Sequence, residues 1–451
     1  MFETTVRYNN NNNKHPVETQ PEFYDSILFE PHLVAFNSDA TKEKIYDITG
    51  SEGIDYYIDP GLAEFERGRN FRKENGDITD WTRAYLRHLG DPLSSILEER
   101  GNANPEKMTE QDISEIAASV VRFQETFATD AVNVDLSNFA DIGSPPAEPK
   151  KIIPWYNKID DESKISTAKT ILNASQDAAT IPLKPCVYTT KSMISDAGTR
   201  SNLIDLVDEL DVSECFLIIE GLDKRETGQS VYENVIKFVY DIRDRGIVPH
   251  FLYGDFFSHL LAYFGLGGTT YGTLYAEEHT EELKATDGGN FPNRYYFDPI
   301  KDFVNPASAA DLGLNTDFDL CDCPVCSRKF DSWQDMAEKV QEEEDEDDID
   351  DDEPQSFEKV EDNSSVENLK TVLQKHYLAK RWDHTLTVQS ESFDDLIAEL
   401  KDDHQSTVTP FSQSFQINDD RDLDYMMRWV HAAKEMDQLA YDTLDDFRTG
   451  L

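Results

Sequence analysis

A cluster of three cysteines constrains this 451-residue chain more than any other feature. Cys321, Cys323 and Cys326 lie within six residues, and Pro324 opposes helix formation between them. A loop of this spacing can wrap one metal ion with three thiolates, and a structural zinc site needs four nitrogen or sulfur ligands. The cluster therefore predicts a Zn²⁺ site whose fourth ligand comes from elsewhere in the chain.

His376 is the predicted fourth ligand. Leu369 and Val372 precede it at helical spacing, so a helix would hold the imidazole on a fixed face. His384 and His404 are the alternatives. A disulfide or three free thiols would also account for the cysteines, but CxCxxC is too tight for an easy bridge among its own members.

The charge balance is strongly acidic. Asp and Glu number 90 against 42 Lys and Arg, which gives a formal net charge of −48. Residues 342–353 include eleven acidic side chains, and the rest of the excess is spread over the chain. Because molar salt screens such repulsion, this composition predicts a salt-loving source. The alternative to a salt-loving source is an ordinary acidic cytosolic protein. The alternative for the acidic run is that it serves as an interaction arm.

Five cysteines do not make a secreted disulfide framework, and the chain has neither a membrane-length apolar run nor a signal peptide. The aromatic content of 11% argues against general disorder. We therefore expect a soluble cytoplasmic protein of a halophilic archaeon, or of a host infected by its virus.

Short apolar runs alternate with amphipathic stretches over most of the chain, which predicts strands alternating with helices and a parallel sheet. The number of repeats favours an α/β fold of the (β/α)₈ TIM-barrel type over an open sheet. The predicted organisation is a disordered N-terminal arm (1–20), a barrel (21–310), a zinc-binding lobe (311–400) with an acidic disordered insertion (341–366), and a helical C-terminal segment (401–451).

Particular elements follow from this alternation. Strands are predicted at Leu33–Phe36, Asp55–Ile58, Val132–Val134, Ile152–Ile153, Cys186–Tyr188, Cys215–Ile219 and Val248–Tyr253. Helices are predicted at Asp112–Phe127, Ile165–Ala174, Leu203–Leu210, Ser230–Arg245, Phe257–Phe264, Leu396–Leu400 and Leu423–Leu439.

Carboxylates follow several of these strands, namely Asp59, Asp141, Glu220 and Asp255. In (β/α)₈ barrels the active site lies at the carboxyl ends of the strands, so these residues could share one pocket. Each of them is also compatible with ordinary turn chemistry.

The cysteine cluster and the barrel together resemble the tRNA-guanine transglycosylase superfamily. This family exchanges guanine in a polynucleotide for a 7-deazaguanine base, on a (β/α)₈ barrel with a CxCxxC…His zinc site. The segments similar to family motifs are Ile58–Gly61, Ala140–Pro146, Glu220–Leu222, Phe251–Gly254 and Leu274–Ala276. The resemblance implies that Cys321, Cys323, Cys326 and His376 hold zinc.

The resemblance also implies roles at the barrel. Asp59 would be the general acid/base, and Asp141 would accept hydrogen bonds from the N1–H and 2-amino group of guanine. Gly221, Tyr253 and Gly254 would contact the base. The family's nucleophilic aspartate has no counterpart near 267–271, so Asp255 is the predicted nucleophile of a covalent sugar intermediate.

One local stretch is basic. Arg67, Arg69, Arg72 and Lys73 follow the Asp59 loop and are predicted to contact nucleic-acid phosphates. A salt-laced helix face is the alternative interpretation of these residues.

The missing aspartate and a short C-terminal part resemble the 7-deazaguanine DNA transglycosylase branch. The predicted function is therefore replacement of guanine in DNA by a 7-deazaguanine such as preQ0 or preQ1. The alternatives are an enzyme acting on tRNA, and an inactive zinc-containing barrel that recruits partners. The predicted partners are the polynucleotide and the free base. The sequence is also compatible with a homodimer, and no association with a membrane is expected.

Overall fold

Eight parallel strands form one sheet. The structure is a computed structural model that describes residues 1–8, 14–67, 72–73, 76–128, 148–273, 293–347, 368–413 and 423–448. The strands are Glu3–Tyr8 (β1), Ser26–Phe29 (β2), Asp55–Ile58 (β3), Lys158–Ile159 (β4), Cys186–Thr190 (β5), Glu214–Glu220 (β6), Val248–Phe251 (β7) and Gly268–Tyr271 (β8).

The strand order is that of a (β/α)₈ barrel. It runs β3-β2-β1-β8-β7-β6-β5-β4, so the first strand pairs with the last, and every other ladder joins neighbours in the chain. Thr4 pairs with Thr269 in the β1–β8 ladder, and Phe29 pairs with Ile58 in the β2–β3 ladder. All these ladders are parallel, which confirms the predicted fold class.

Helices connect the strands. They are Lys14–Thr19 (α1), Pro31–Phe36 (α2), Ser38–Asp47 (α3), Ala63–Arg67 (α4), Asp80–Leu89 (α5), Leu93–Arg100 (α6), Glu110–Phe127 (α7), Ser163–Ala178 (α8), Lys191–Ser195 (α9), Ala197–Asp208 (α10), Gln229–Asp244 (α11) and Phe257–Leu260 (α12). Helix α7 shows the local logic, because Thr109 and Asp112 form a reciprocal capping box at its start. Apolar side chains such as Ile116 and Val120 then recur on its buried face.

The chain divides into two compact units. The first comprises Met1–Asn12, Tyr24–Glu281 and Ala432–Leu451, and the second comprises Asn13–Phe23 and Glu282–His431. The second unit contains an antiparallel hairpin of Tyr295–Phe297 (β9) and Asp302–Val304 (β10). The helices after it are Pro306–Asn315 (α13), Cys326–Lys329 (α14), Trp333–Asp347 (α15), Leu369–Ser390 (α16), Phe393–Gln413 (α17) and Asp424–Arg448 (α18).

The floor of the barrel is a buried charged network. The Lys184 ammonium lies 3.5 Å from Glu3 Oε2 and 3.3 Å from Glu214 Oε2, and it sits 4.2 Å from the ring centroid of Phe216. Burial raises the pKa of Glu3, but the charges of Lys184 and His250 and the hydrogen bond from Ser26 together outweigh it and lower that pKa to about 2. Burial, reinforced by Lys184, lowers the pKa of His250 to about 3.

The predicted disordered arm at residues 1–20 is wrong. Residues 3–8 form β1, which lies between β2 and β8, and residues 14–19 form α1. The residues of this strand that contact other side chains inside the barrel, Glu3, Thr5 and Arg7, are polar. The sequence therefore does not show the apolar pattern of a buried strand.

Three other expectations differ from the structure. Leu33–Phe36 lies in α2, a helix that begins at Pro31, because proline suits the first turn of a helix. The barrel unit ends at Glu281 rather than at 310, so the β9–β10 hairpin belongs to the second unit. Residues 341–347 of the predicted acidic insertion continue α15, and 348–366 lie outside the described residues, as does Val132–Val134.

Within the described part of the chain, we find no helix both long enough and apolar enough to cross a lipid bilayer.

Candidate metal centre and candidate active site

Four predicted ligands converge in the second unit. One ligand atom from each of Cys321, Cys323, Cys326 and His376 lies within 4.8 Å of all the others. The cysteines come from the loop that leads into α14, and α16 supplies the histidine. All five cysteines are free, so the structure contains no disulfide among them. The cluster could therefore hold a metal ion.

The imidazole has the orientation of a metal ligand. His376 Nδ1 faces Cys323 Sγ at 3.5 Å and Cys326 Sγ at 3.2 Å. On the other side, Nε2–H donates a hydrogen bond to the carbonyl oxygen of Tyr296 at 2.8 Å. This bond fixes the tautomer and leaves the Nδ1 lone pair directed at the sulfurs, as the outer partners of metal-bound histidines do.

Backbone and ring contacts complete the cluster. The amide of Cys323 donates to Cys321 Sγ at 3.5 Å, and the amide of Cys326 donates to Cys323 Sγ at 3.3 Å. The Tyr295 ring stacks on the His376 imidazole at 4.5 Å and 3°. These donors stabilise thiolates, so the residues present fit a closed tetrahedral zinc site.

His384 and His404, the alternative candidates for the fourth ligand, lie outside this cluster. His384 Nε2 is 2.8 Å from Asp298 Oδ1, and His404 Nε2 is 3.4 Å from Asp424 Oδ1. Both imidazoles are thus engaged by carboxylates rather than by the cysteines.

A second grouping of metal-binding residue types, Glu3, Glu214 and His250, lies in the barrel floor. Lys184 already brings a positive charge to both of its carboxylates. We therefore assign this grouping to barrel stability.

At the opposite end of the barrel, Arg7 joins two carboxyl groups. Its Nη2 lies 3.5 Å from Glu30 Oε1 and 3.9 Å from Asp59 Oδ2. Glu30 follows β2 and Asp59 follows β3, and the preceding residues Phe29 and Ile58 are paired in register. The two carboxyl groups therefore leave adjacent strands at the same level, at the end where barrel enzymes place their chemistry.

The environment of Asp59 favours the protonated form of its carboxyl group. It is 3% exposed, and its Oδ1 accepts hydrogen bonds from the Tyr156 hydroxyl and the Gly61 amide, both at 2.9 Å. Burial raises the pKa of Asp59, while Arg7 and these two hydrogen bonds oppose that rise only in part. A raised carboxyl pKa is typical of general acid/base residues.

A second polar group continues around the mouth. The Tyr156 ring meets Tyr188 edge to face at 6.4 Å, and the Tyr188 hydroxyl donates to Glu220 Oε2 at 3.0 Å. Lys158 Nζ lies 2.7 Å from the same Glu220 oxygen. The predicted base-contacting Gly221 comes next, with a positive φ of 72° that suits glycine.

Of the predicted site residues that follow β7, Tyr253 lies at this mouth beside Arg7. The ring of Tyr253 stacks under Arg7, with 4.3 Å between its centroid and the guanidinium carbon. A Cβ on Gly254 would lie 2.1 Å from Thr269 Oγ1, so only glycine fits there. The predicted nucleophile Asp255 uses Oδ1 to accept the Phe257 amide at 3.0 Å, which is the structural role of a turn aspartate.

Of the remaining predicted site residues, Arg72 and Lys73 are the ones whose side chains the structure describes. Asp141 and Arg69 lie outside the described residues, as does the side chain of Arg67. Arg72 donates to the carbonyl oxygens of Gly76 and Leu97, both at 2.8 Å. Lys73 pairs with Asp80 at 3.1 Å. Both described cations therefore contribute to local structure.

Arg7, Glu30 and Tyr156 belong to the candidate site but were not predicted from the sequence. Arg7 fell within the segment expected to be disordered. A signal for Glu30 is present in the sequence, because Phe29-Glu30-Pro31 repeats the apolar–acidic–proline order of Ile58-Asp59-Pro60.

Comparison with known proteins gives limited information. No family model and no curated protein matches the chain. Among solved structures, a Thermobacillus composti GH10 xylanase is similar at TM-score 0.31 and 11% identity, covering 60% of this chain and 83% of the xylanase. Xylanase B from Clostridium stercorarium F9 is similar at TM-score 0.32 and 10% identity, covering 60% and 85%.

Proposed function

We propose that this protein is a base-exchanging transglycosylase that replaces guanine in a polynucleotide, DNA in preference to tRNA, with a 7-deazaguanine such as preQ0 or preQ1. The observation that carries the proposal is the Arg7-linked pair of carboxyl groups, Glu30 and Asp59, at the barrel mouth. Cleavage of a glycosidic bond with retention uses two such carboxyl groups, one to transfer a proton and one to stabilise the sugar.

Asp59 is the proton-transferring group in this proposal. A protonated Asp59 protonates the departing guanine, and the resulting carboxylate accepts the proton of the incoming base. Tyr156 and Gly61 hold the carboxyl group in place through Oδ1, which leaves Oδ2 on the side of Arg7. Tyr253, partly buried against Arg7, presents a ring on which a purine could stack.

Cys321, Cys323, Cys326 and His376 would hold zinc in this protein. Four protein ligands leave no open position on the metal, so zinc would supply structural stability rather than Lewis-acid chemistry. No step of base exchange depends on it.

A polynucleotide must approach an acidic protein. Net charge −48 opposes binding at low ionic strength, so phosphate contacts have to be local. The target base also has to leave its stack to reach the barrel mouth. We therefore expect single-stranded or distorted DNA to be a better substrate than intact duplex.

The test is exchange of radiolabelled guanine into defined DNA and tRNA by the full-length protein, at several salt concentrations. We expect label in DNA, and an Asp59→Asn loss of about 10²–10⁴-fold, the usual contribution of a general acid/base. Label in tRNA alone would move the assignment to the tRNA branch. Wild-type protein that labels neither polymer would contradict the proposed activity.

One observation favours a second function, that of an inactive barrel acting as a recruitment protein. The carboxyl group of Asp255, which the sequence predicted as nucleophile, is engaged by the Phe257 amide. Under this alternative the protein would bind a polynucleotide or a protein partner without any exchange of guanine.

A further inference from the structure

We propose that Glu30, not Asp255, is the nucleophile of base exchange. This inference rests on the proposed function and names the residue that forms the covalent sugar intermediate. It starts from the register of β2 and β3, in which Phe29 pairs with Ile58 and the amide of Asp59 donates to the Phe29 carbonyl at 3.0 Å. Glu30 and Asp59 are therefore neighbours by the construction of the sheet.

The two carboxyl groups share one partner. Glu30 Oε1 and Asp59 Oδ2 lie 3.5 and 3.9 Å from the same nitrogen of Arg7, so both face the guanidinium at the barrel mouth. Enzymes that act through a covalent glycosyl intermediate likewise use a close pair of carboxyl groups, one for attack and one for proton transfer.

The two carboxyl groups have different surroundings. The Asp59 side chain is 4% exposed and tied by two hydrogen bonds through Oδ1, whereas the Glu30 side chain is 20% exposed. Glu30 precedes α2, yet its side chain does not cap that helix. Burial thus favours the protonated form of Asp59, while the Glu30 carboxyl group is the more accessible of the two to a sugar at the mouth.

The other carboxylates near the mouth are less suited to attack. Asp255 Oδ1 accepts the Phe257 amide within the turn that begins α12. Glu220 Oε2 receives both the Tyr188 hydroxyl and the Lys158 ammonium, and its side chain is 9% exposed. The Glu30 contact to Arg7 is longer, at 3.5 Å, and its side chain is 20% exposed.

The reaction balances without a further reagent. In the first step a Glu30 oxygen attacks C1′, the C1′–N9 bond breaks, and its electron pair goes to N9 of guanine, which receives the Asp59 proton. In the second step the incoming 7-deazaguanine gives its N9 proton to Asp59. Its nitrogen then attacks C1′ and releases the Glu30 carboxylate.

The experiment traps the intermediate on the full-length, zinc-loaded protein. Labelled DNA or tRNA is incubated without the incoming base, and the products are separated on a denaturing gel. Peptide mass spectrometry then maps the sugar-bearing residue of the wild-type protein, so that this readout does not depend on the folding of a variant. We expect the adduct on Glu30 and its absence in Glu30→Gln, with exchange reduced by about 10³-fold or more.

Glu43→Gln is the matched control. It makes the same chemical change at an exposed glutamate of the neighbouring helix α3. An adduct mapped to Asp255 or Glu220, or one that still forms in Glu30→Gln, would overturn the assignment while leaving base exchange intact. If no adduct is trapped, unchanged exchange by Glu30→Gln overturns it equally. Wild-type protein without any exchange overturns the assignment together with the proposed function.

Discussion

Lys184 shows how one residue stabilises the barrel floor. None of its side chain is exposed, and its ammonium lies between Glu3 and Glu214 and against the ring of Phe216. Lys184→Met keeps the volume but leaves two carboxylates facing each other in a buried site. We expect a loss of about 3–5 kcal/mol in the free energy of unfolding, the usual result of breaking a buried ion pair.

Urea denaturation of Lys184→Met measures this loss. The double variant Lys184→Met/Glu3→Gln should recover part of the lost stability, because it also removes one of the two carboxylates that Lys184 had contacted. A single variant as stable as the wild type would show that Lys184 does not stabilise the floor and that Lys151, which contacts Glu214, and His250, which lies beside Glu3, suffice.

Tyr156 tests the pKa of Asp59 at the other end of the barrel. Burial raises that pKa, and the hydrogen bond from the Tyr156 hydroxyl is one of the interactions that oppose the rise. Tyr156→Phe removes this bond, so the pKa of Asp59 moves further upward. Base exchange needs a protonated Asp59 in its first step, and we expect the alkaline limb of kcat/KM against pH to shift to higher pH.

Tyr46→Phe is the control for this experiment, because the Tyr46 hydroxyl donates to the Ala128 carbonyl rather than to Asp59. Its pH profile should match that of the wild type. A Tyr156→Phe limb that stays in place, or moves to lower pH, would show that Asp59 does not govern it.

Among the elements, the Cys3His cluster combines distant segments. His376 on α16 lies 50 positions after Cys326, yet the two side chains are 3.2 Å apart. Zinc bound there would close a long loop, and its free energy of binding would become free energy of folding. We expect one zinc per chain by elemental analysis, and we expect His376→Ala or a strong chelator to lower the temperature of a lobe-specific unfolding transition.

Cys186→Ser and Cys215→Ser are the matched controls, because both thiols are buried on barrel strands outside the cluster. These variants should keep one zinc per chain. Loss of zinc from them, or its retention by His376→Ala, would contradict the ligand set.

The elements also show what a sequence can reveal. Helices such as α7 and α11 follow from apolar residues at helical spacing, and β6 follows from a continuous apolar run. Strand β1 escaped because its interior side chains are polar, so its alternation does not look like that of a buried strand. Arg7 was lost with it, so the shared order of Phe29-Glu30-Pro31 and Ile58-Asp59-Pro60 remained the sequence signal linking Glu30 to Asp59.

The convergence of the candidate metal ligands was predictable for the opposite reason. Three thiols within six residues have few purposes besides metal binding, whereas a carboxylate after a strand is common in turns. Which carboxylates share a site depends on strand register, and that property appears only when the sheet is assembled.

For the whole molecule, the excess of negative charge dominates the electrostatics. Acidic residues number 90 against 42 Lys and Arg. Arg7, Lys184 and Lys301 are buried and each is already paired with two or more carboxyl groups, so they do not offset the acidic excess elsewhere. Exposed carboxylates therefore repel one another wherever salt does not screen them.

Screening should decide the stability of the folded chain. The screening length falls from about 10 Å at 0.1 M salt to about 3 Å at 1 M, which is shorter than most separations between surface charges. We expect the melting temperature to rise by about 5 °C or more between these concentrations, which for a chain of this size corresponds to a few kcal/mol. Differential scanning fluorimetry in sodium chloride measures the rise.

Glycerol at matched osmolality separates charge screening from general solute exclusion, since a neutral solute leaves the electrostatics unchanged. A rise in salt that glycerol does not reproduce identifies repulsion between carboxylates as the cause. A melting temperature independent of salt would mean that the acidic groups lie too far apart to interact, and the composition would then carry no information about a saline environment. The same titration bears on the proposed activity, because a polynucleotide can approach this surface only where its charge is screened or locally reversed.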